Sequence, residues 1–325
     1  MRGDVLAAQD LQVNLADIEA ARERIRGVAW RTPLVPAGRH EDGKTYLKLE
    51  CLQRTGSFKV RGAWNRMGGA SEADRRRGFV TVSAGNHGQA VAWSAKRLGS
   101  PCTVWVPDTA VERKVNAIRA LGAAVQTMPH DQIMESMTGD RWTQDPQVYV
   151  HPFGDRLVMA GQGTIGLEIL DDLPEVRSVI VPVGGGGLSV GIATAVKALR
   201  PGVKVYGVQA ANAAPLARSW HSGKPERVPT PKTIADGIGA SVVFDYMFPL
   251  LRRALDGVLT VSEDELRSAV QELASEAHVI AEPAGAASLA AARQQGENLA
   301  RPVACVVSWG NIAPTLLAEI AGGSR

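Results

Sequence analysis

Four consecutive glycines, Gly184-Gly185-Gly186-Gly187, lie directly between the β-branched run Ser178–Val183 and a helix-like stretch that reaches Leu199. With a strand and a helix abutting it, this segment is a poor flexible linker. It reads instead as a turn whose backbone N–H groups face inward at a helix N-terminus, an anion nest suited to phosphate. It lacks the Lys-Ser/Thr of a Walker A loop and the spacing of the dinucleotide fingerprint. In open α/β sheets, ligands bind beyond the carboxyl ends of the strands, in turns of this kind.

The rest of the chain repeats that alternation. Thr45–Leu49, Phe79–Val82, Cys102–Val106, Val125–Met128, Val148–Val150, Ser178–Val183, Val203–Gln209 and Val303–Val307 read as strands. They are nearly continuous apolar runs, the pattern of parallel strands covered on both faces. Helices are predicted over Leu15–Arg26 (with Asn14 as N-cap and Asp17 three residues on), from the turn after Val82 to Leu98, near Val111–Leu121 and near Thr164–Leu170. The fold class is therefore α/β, doubly wound, with helices as crossovers. At 325 residues the chain suits two domains of roughly 100–200 residues each.

Charge and cysteine usage narrow the function. Lys and Arg number 36 against 33 Asp and Glu, mixed along the sequence, so no basic face for nucleic acid is indicated. Arg75-Arg76-Arg77 reads as a solvated helix end before Gly78. Cys51, Cys102 and Cys305 form no CxxC, which argues against a zinc cluster or disulfide framework and for a reducing, cytoplasmic setting; Cys305 lies in an apolar run and reads as core. The N-terminus has no apolar signal-peptide core. The most apolar stretch, Val179–Leu199, carries Pro182, the glycines and Lys197, so no membrane span is expected.

Four more polar or glycine-bearing stretches stand beside apolar runs: Ser57-Phe58-Lys59-Val60-Arg61-Gly62, Ser83-Ala84-Gly85-Asn86-His87-Gly88, Glu282-Pro283-Ala284-Gly285-Ala286-Ala287 and Ser308-Trp309-Gly310-Asn311. Each has an ordinary reading when taken alone. Lys59 could be a snorkelling lysine, His87 a packed histidine, Glu282 a helix-start charge, and the Ser83 and Ser308 segments plain turns. The functional reading of the second is a helix N-terminus whose exposed N–H groups suit a carboxylate.

Taken together and in order, these stretches resemble the fold-type II pyridoxal-phosphate enzymes, specifically the serine/threonine dehydratase and serine racemase group. His151-Pro152-Phe153, Gly161-Gln162-Gly163-Thr164-Ile165-Gly166 and Thr233-Ile234-Ala235-Asp236-Gly237 support the match, which spans about residues 15 to 315. The resemblance implies pyridoxal 5'-phosphate as cofactor, with Lys59 as Schiff-base lysine, since only an amine makes and exchanges an imine. It implies Phe58 against the pyridine ring, Gly184–Gly187 and Leu188 at the phosphate, Asn86 at the 3-hydroxyl, Ser308 at the ring nitrogen and Glu282 near the ring. Ser83, Ala84, Gly85, Asn86 and His87 would receive the substrate carboxylate. Ser83 is expected beside Lys59 as the second catalytic residue. The implied reaction is α,β-elimination from L-threonine, L-serine or a related β-hydroxy amino acid, giving a 2-oxo acid and ammonia. The small-molecule amino acid is the expected partner, and relatives of this group are usually homodimers or homotetramers. The implied architecture is a large domain of residues 1–73 and 153–325, with a small domain of residues 74–152 inserted and the site in the cleft.

Three departures sharpen the expectation. Racemases of the group carry a second serine where this chain has Ala84, which favours dehydratase over racemase. Metal-binding relatives have acidic residues where this chain has Gln209 and Pro215, so no metal is expected. Trp309 replaces a usual glycine and leaves open the substrate side chain; a larger substrate such as hydroxyaspartate or phenylserine remains an alternative. Too few residues follow Asn311 for a regulatory domain, so feedback by isoleucine is not expected. A non-catalytic phosphate-ligand binding protein would have no use for Lys59. A nicotinamide-dependent dehydrogenase would need the missing fingerprint. β-Replacement also stays within the fold, with the Thr233–Gly237 and Glu282–Ala287 motifs favouring dehydration.

Overall fold

A computed structural model describes residues 8–38, 44–138, 145–228 and 232–322. Among the described residues, ten strands form two sheets: β1 (Leu34–Pro36), β2 (Thr45–Lys48), β3 (Phe79–Val82), β4 (Cys102–Pro107), β5 (Ala124–Met128), β6 (Val148–Tyr149), β7 (Ser178–Pro182), β8 (Lys204–Ala210), β9 (Gly257–Val261) and β10 (Val303–Val306). The larger sheet runs β1-β2-β10-β7-β8-β9 and the smaller β5-β4-β3-β6. All pairings are parallel except β1 with β2. In the strands β3, β7 and β10, each of which lies between two others, every residue is buried, as both-face coverage requires. The edge strand β5 is mostly exposed and β9 mostly half-exposed.

Local signals explain most helix limits. Asn14 and Asp17 form a reciprocal capping box on Leu15–Ile25, and Ser262 and Glu265 do the same on Glu263–Ser275. The Arg75–Arg77 run closes the short helix Glu72–Arg77, and Gly78 (φ 86°) follows it. Two differences from the sequence reading are informative. The helix predicted near Thr164–Leu170 is the long Arg156–Asp172, buried from Val158 to Leu170. Its glycines erase any hydrophobic period, because they are contact points. A Cβ on Gly161 would lie 2.6 Å from the Arg61 carbonyl oxygen, and one on Gly163 would lie 2.9 Å from that of Gly191. The sequence reading omits the edge strands β1 and β9, of which Gly257–Val261 (GVLTV) does carry a short β-branched run.

Among the described residues two large apolar clusters result, with a small third of Val80, Val82, Met128 and Ile133. The larger gathers Ile18, Leu47, Ile165, Val179, Val205, Leu266 and Val303, drawn from both ends of the described chain. The smaller centres on Phe79, Val91, Val104 and Ile118, and it takes in Val60, Ala63 and Met67 of helix Lys59–Gly68. Cys51, Cys102 and Cys305 are all buried. Among the described residues no helix is long and apolar enough to cross a membrane.

Candidate active site

Both sheets reverse strand order, and the candidate residues lie at the reversals. In the small sheet β3 is flanked by β4 and β6, and the chain leaves β3 into Ser83–His87. In the large sheet β7 is flanked by β8 and β10, and β7 and β10 lead into Gly184–Gly187 and Ser308–Asn311. Such switch points open a crevice at the carboxyl ends of the strands. The two loop sets face one another across a cleft of about 520 Å³, lined by Lys59, Ser83–His87, Gly184, Glu282, Trp309 and Asn311 among others.

Lys59 is the first residue of helix Lys59–Gly68. Ser57 bridges to Trp309 and the Phe58 N–H donates to the Ser308 carbonyl at 3.3 Å, so the segment before the helix is laid beside the end of β10. The Lys59 Nζ donates to the Pro152 carbonyl at 2.7 Å and lies 5.2 Å from the Phe58 ring centre. Burial lowers its pKa to about 8.

Ser83 Oγ accepts from the Gly85 N–H at 3.1 Å, which shapes the turn into helix Asn86–Leu98. His87 lines the cleft, but its Nε2 is 3.1 Å from the Val150 carbonyl. Burial first, then the Lys59 charge, hold the ring well below the usual histidine range, so it stays neutral. Gly88 is required here, because a Cβ would run into the Ser83 carbonyl oxygen, with the Ile118 and Val104 side chains also close.

Among the described residues, no backbone carbonyl takes the N–H groups of Gly184, Gly185 or Gly186. Gly186 has φ 94° and caps helix Gly187–Leu199, with Leu188 buried in its first turn. Phe153 crosses over this loop. A Cβ on Gly185 would lie 2.6 Å from Phe153 Cε1, and one on Gly187 would lie 2.6 Å from the Phe153 carbonyl oxygen. His151 fixes that crossing: its Nδ1 accepts from the N–H groups of Phe153 (3.1 Å) and Gly154 (2.7 Å). The ring proton is thereby left on Nε2, 3.2 Å from the Met137 carbonyl.

The fourth wall is polar. Asn311 Nδ2 donates to Asn86 Oδ1 at 2.6 Å, and Asn86 Nδ2 donates to Glu282 Oε1 at 3.4 Å. Burial, then the charge of Asp236, raise the Glu282 carboxyl to about 7. Lys114 and Asp236 pair across the cleft mouth. Ser308 Oγ is buried without a hydrogen-bond partner, as are Ser57 Oγ and Trp309 Nε1. Sequence reading brings these stretches together, but it misses Arg113, Lys114, His130 and Met134 at the mouth. They lie on helices Glu112–Ala120 and His130–Ser136, which carry no glycine signal.

Behind the Lys59 helix lies a buried ionic group that sequence reading also misses. Arg61 meets Glu50 and Glu168, and Lys48 meets Glu168 at 2.6 Å. Gln209 is spent on the backbone: it accepts from Leu216 N–H (2.8 Å) and Ala217 N–H (3.2 Å) and donates to the Val183 carbonyl (3.1 Å). Pro215 opens helix Pro215–Ser222.

The family described as "Pyridoxal-phosphate dependent enzyme" matches residues 25–308, and the chain belongs to it. Among relatives, an L-threonine ammonia-lyase of Thermotoga maritima is 41% identical over 313 residues, covering 95% of this chain and 78% of the relative. Among solved structures, a threonine deaminase from T.th. is 39% identical with a TM-score of 0.85, covering 92% and 99% of the two chains. Maize serine racemase is 31% identical with a TM-score of 0.87, covering 94% and 96%. The family's cofactor is pyridoxal 5'-phosphate, and the site fits it on three observations. Lys59 supplies a desolvated amine, Gly184–Gly186 a cradle of uncommitted N–H groups, and Ser308 a buried hydroxyl without a partner.

Proposed function

We infer that this chain is an ammonia-lyase that eliminates water from L-threonine or L-serine and releases a 2-oxo acid and ammonia. The carrying observation is the placement of the Lys59 amine, with its pKa lowered to about 8, in the same cleft as the turn Ser83–His87. An amine of that pKa is part neutral near pH 7 and can hold a proton taken from carbon. The identity to an L-threonine ammonia-lyase over most of the chain supports this substrate class.

Pyridoxal 5'-phosphate, when bound, supplies an aldehyde for the substrate amine and an electron-withdrawing ring that acidifies the α-hydrogen. Gly184–Gly187 and Leu188 would hold its phosphate, Phe58 its ring face, Asn86 its hydroxyl and Ser308 its ring nitrogen. A neutral serine hydroxyl at that nitrogen leaves the ring uncharged, which favours loss of a β-substituent over transamination. Lys59 takes the α-proton. The N–H groups at the start of helix Asn86–Leu98 bind the substrate carboxylate, helped by the helix dipole. Ser83 orders that turn through its bond from Gly85, and His87, neutral and tied to Val150, shapes the turn without adding charge. Glu282, raised to about 7, keeps the polar wall close to neutral. Ala84 has no exchangeable proton, which is the feature against a racemase that needs a second acid/base.

The two sheets, one with strands only from residues 34–48 and 178–306 and the other only from residues 79–149, support residues 1–73 with 153–325, and residues 74–152, as the two domains. The test is 2-oxo acid release by the cofactor-loaded chain from L-threonine, L-serine, hydroxyaspartate and phenylserine. Release from L-threonine or L-serine, lost in Lys59→Ala, is expected. No release from any of the four overturns the reading, and fast D-serine formation on a chiral column replaces it with racemisation.

A further inference from the structure

Trp309 stands inside the site. It is 4% exposed, its ring centre lies 5.2 Å from that of Phe58, and a Cβ placed on Gly237 would be 3.6 Å from its Cε3. The indole therefore occupies the gap between Phe58 and Gly237. The space left beside it, bounded by Lys59, Phe153 and the glycine loop, is about 40 Å³. That holds a few waters, whereas small-molecule sites run to roughly 300–1,000 Å³.

The indole gains little polar satisfaction there. Its Nε1 is buried with no acceptor, and a buried unpaired donor is unfavourable. The Lys59 amine is also turned aside, toward the Pro152 carbonyl. A ring laid against Phe58, as assigned above, would need the place beside Phe58 and Gly237 that the indole fills. The adjoining cleft of about 520 Å³, which Trp309 also lines, is large enough to take the side chain after rotation.

We propose that the Trp309 indole and the cofactor ring compete for the slot between Phe58 and Gly237, which makes Trp309 the residue that sets cofactor affinity. This rests on the cofactor assigned above but not on the elimination chemistry. The indole must leave the slot before the cofactor seats. Binding is weakened by the fraction of the chain in which the slot is closed.

The test measures pyridoxal 5'-phosphate uptake by the full chain stripped of cofactor, with no substrate present, so that a failure of the ammonia-lyase reading does not touch it. Association rate and Kd are followed by the visible absorbance of the lysine adduct for wild type, Trp309→Gly and Trp309→Leu. Melting of each stripped chain serves as the folding control. The expected result is at least tenfold tighter and faster uptake in Trp309→Gly, with Trp309→Leu shifted the same way should the glycine variant fail to fold. Unchanged or weaker uptake in the folded variants overturns the proposal, because the indole would then be a supporting wall. Absence of uptake in every form also overturns it.

Discussion

The Arg61 guanidinium, two residues beyond Lys59, grips the Glu50 carboxylate through two bonds of 2.8 Å, with both side chains fully buried. Its other edge reaches Glu168 at 2.7 and 2.9 Å. The helix that carries the amine is thus bolted to β2's end and to helix Arg156–Asp172. Removing the guanidinium leaves the buried Glu50 without its cation and Glu168 with Lys48 alone, a loss of about 3–5 kcal/mol. Arg61→Met is expected to lose that much in urea unfolding. Arg61→Lys should recover only part of it, since a lysine cannot bridge both carboxylates bidentately.

Gly185 tests the cradle. An added Cβ would lie 2.6 Å from Phe153 Cε1, so Gly185→Ala must push the Phe153 crossing off the loop. The expected cost is about 1–3 kcal/mol in melting, together with weaker cofactor uptake by absorbance titration. Gly202→Ala is the control: nothing lies within 4 Å of its Cβ, and a change within about 0.5 kcal/mol is expected.

Glu282 gives a pH signature. Burial, then Asp236, raise its carboxyl to about 7 in the fold, above the ordinary 4.5. A raised carboxyl pKa means the fold binds the proton more tightly than the unfolded chain does. Its penalty is absent below about pH 4.5, grows between 4.5 and 7, and is complete above that. Glu282→Gln should therefore match wild type near pH 4.5 and exceed it by about 1–3 kcal/mol at pH 8. Urea unfolding of the cofactor-free chain at both pH values measures this, and equal stabilities at pH 8 would contradict the burial argument.

Lys59 gives the complementary signature. Burial lowers its pKa to about 8, so the neutral amine is half populated there, below the 10.5 of an exposed lysine. The rate of cofactor uptake should rise roughly tenfold per pH unit below 8 and level off above it. A plateau reached only beyond pH 10 would mean the amine is solvated. The linkage has the opposite sense to that of Glu282: between about 8 and 10.5 the unfolded chain binds the extra proton, so stability rises with pH across that window.

The sequence is legible where turns meet strands. Gly184–Gly187, Ser83–Gly88 and Ser308–Asn311 each follow a buried strand, and the strand reversals bring all three to one cleft. What stays hidden depends on packing between distant elements. Gly161, Gly163 and Gly191 look like interruptions of a helix until another backbone is seen against them. Arg61 reads as one more polar residue of a motif until Glu50 and Glu168 close on it from 11 and 107 positions away. Trp309 stands out in the sequence by its size, but only its contact with Phe58 shows that it points inward.

Helix Lys59–Gly68 belongs to both halves of the molecule. Val60, Ala63 and Met67 lie in the smaller apolar cluster, while Arg61 is held by Glu50 and Glu168 in the other half. Within three residues its first turn therefore carries the amine that lines the cleft and the buried guanidinium that two carboxylates hold.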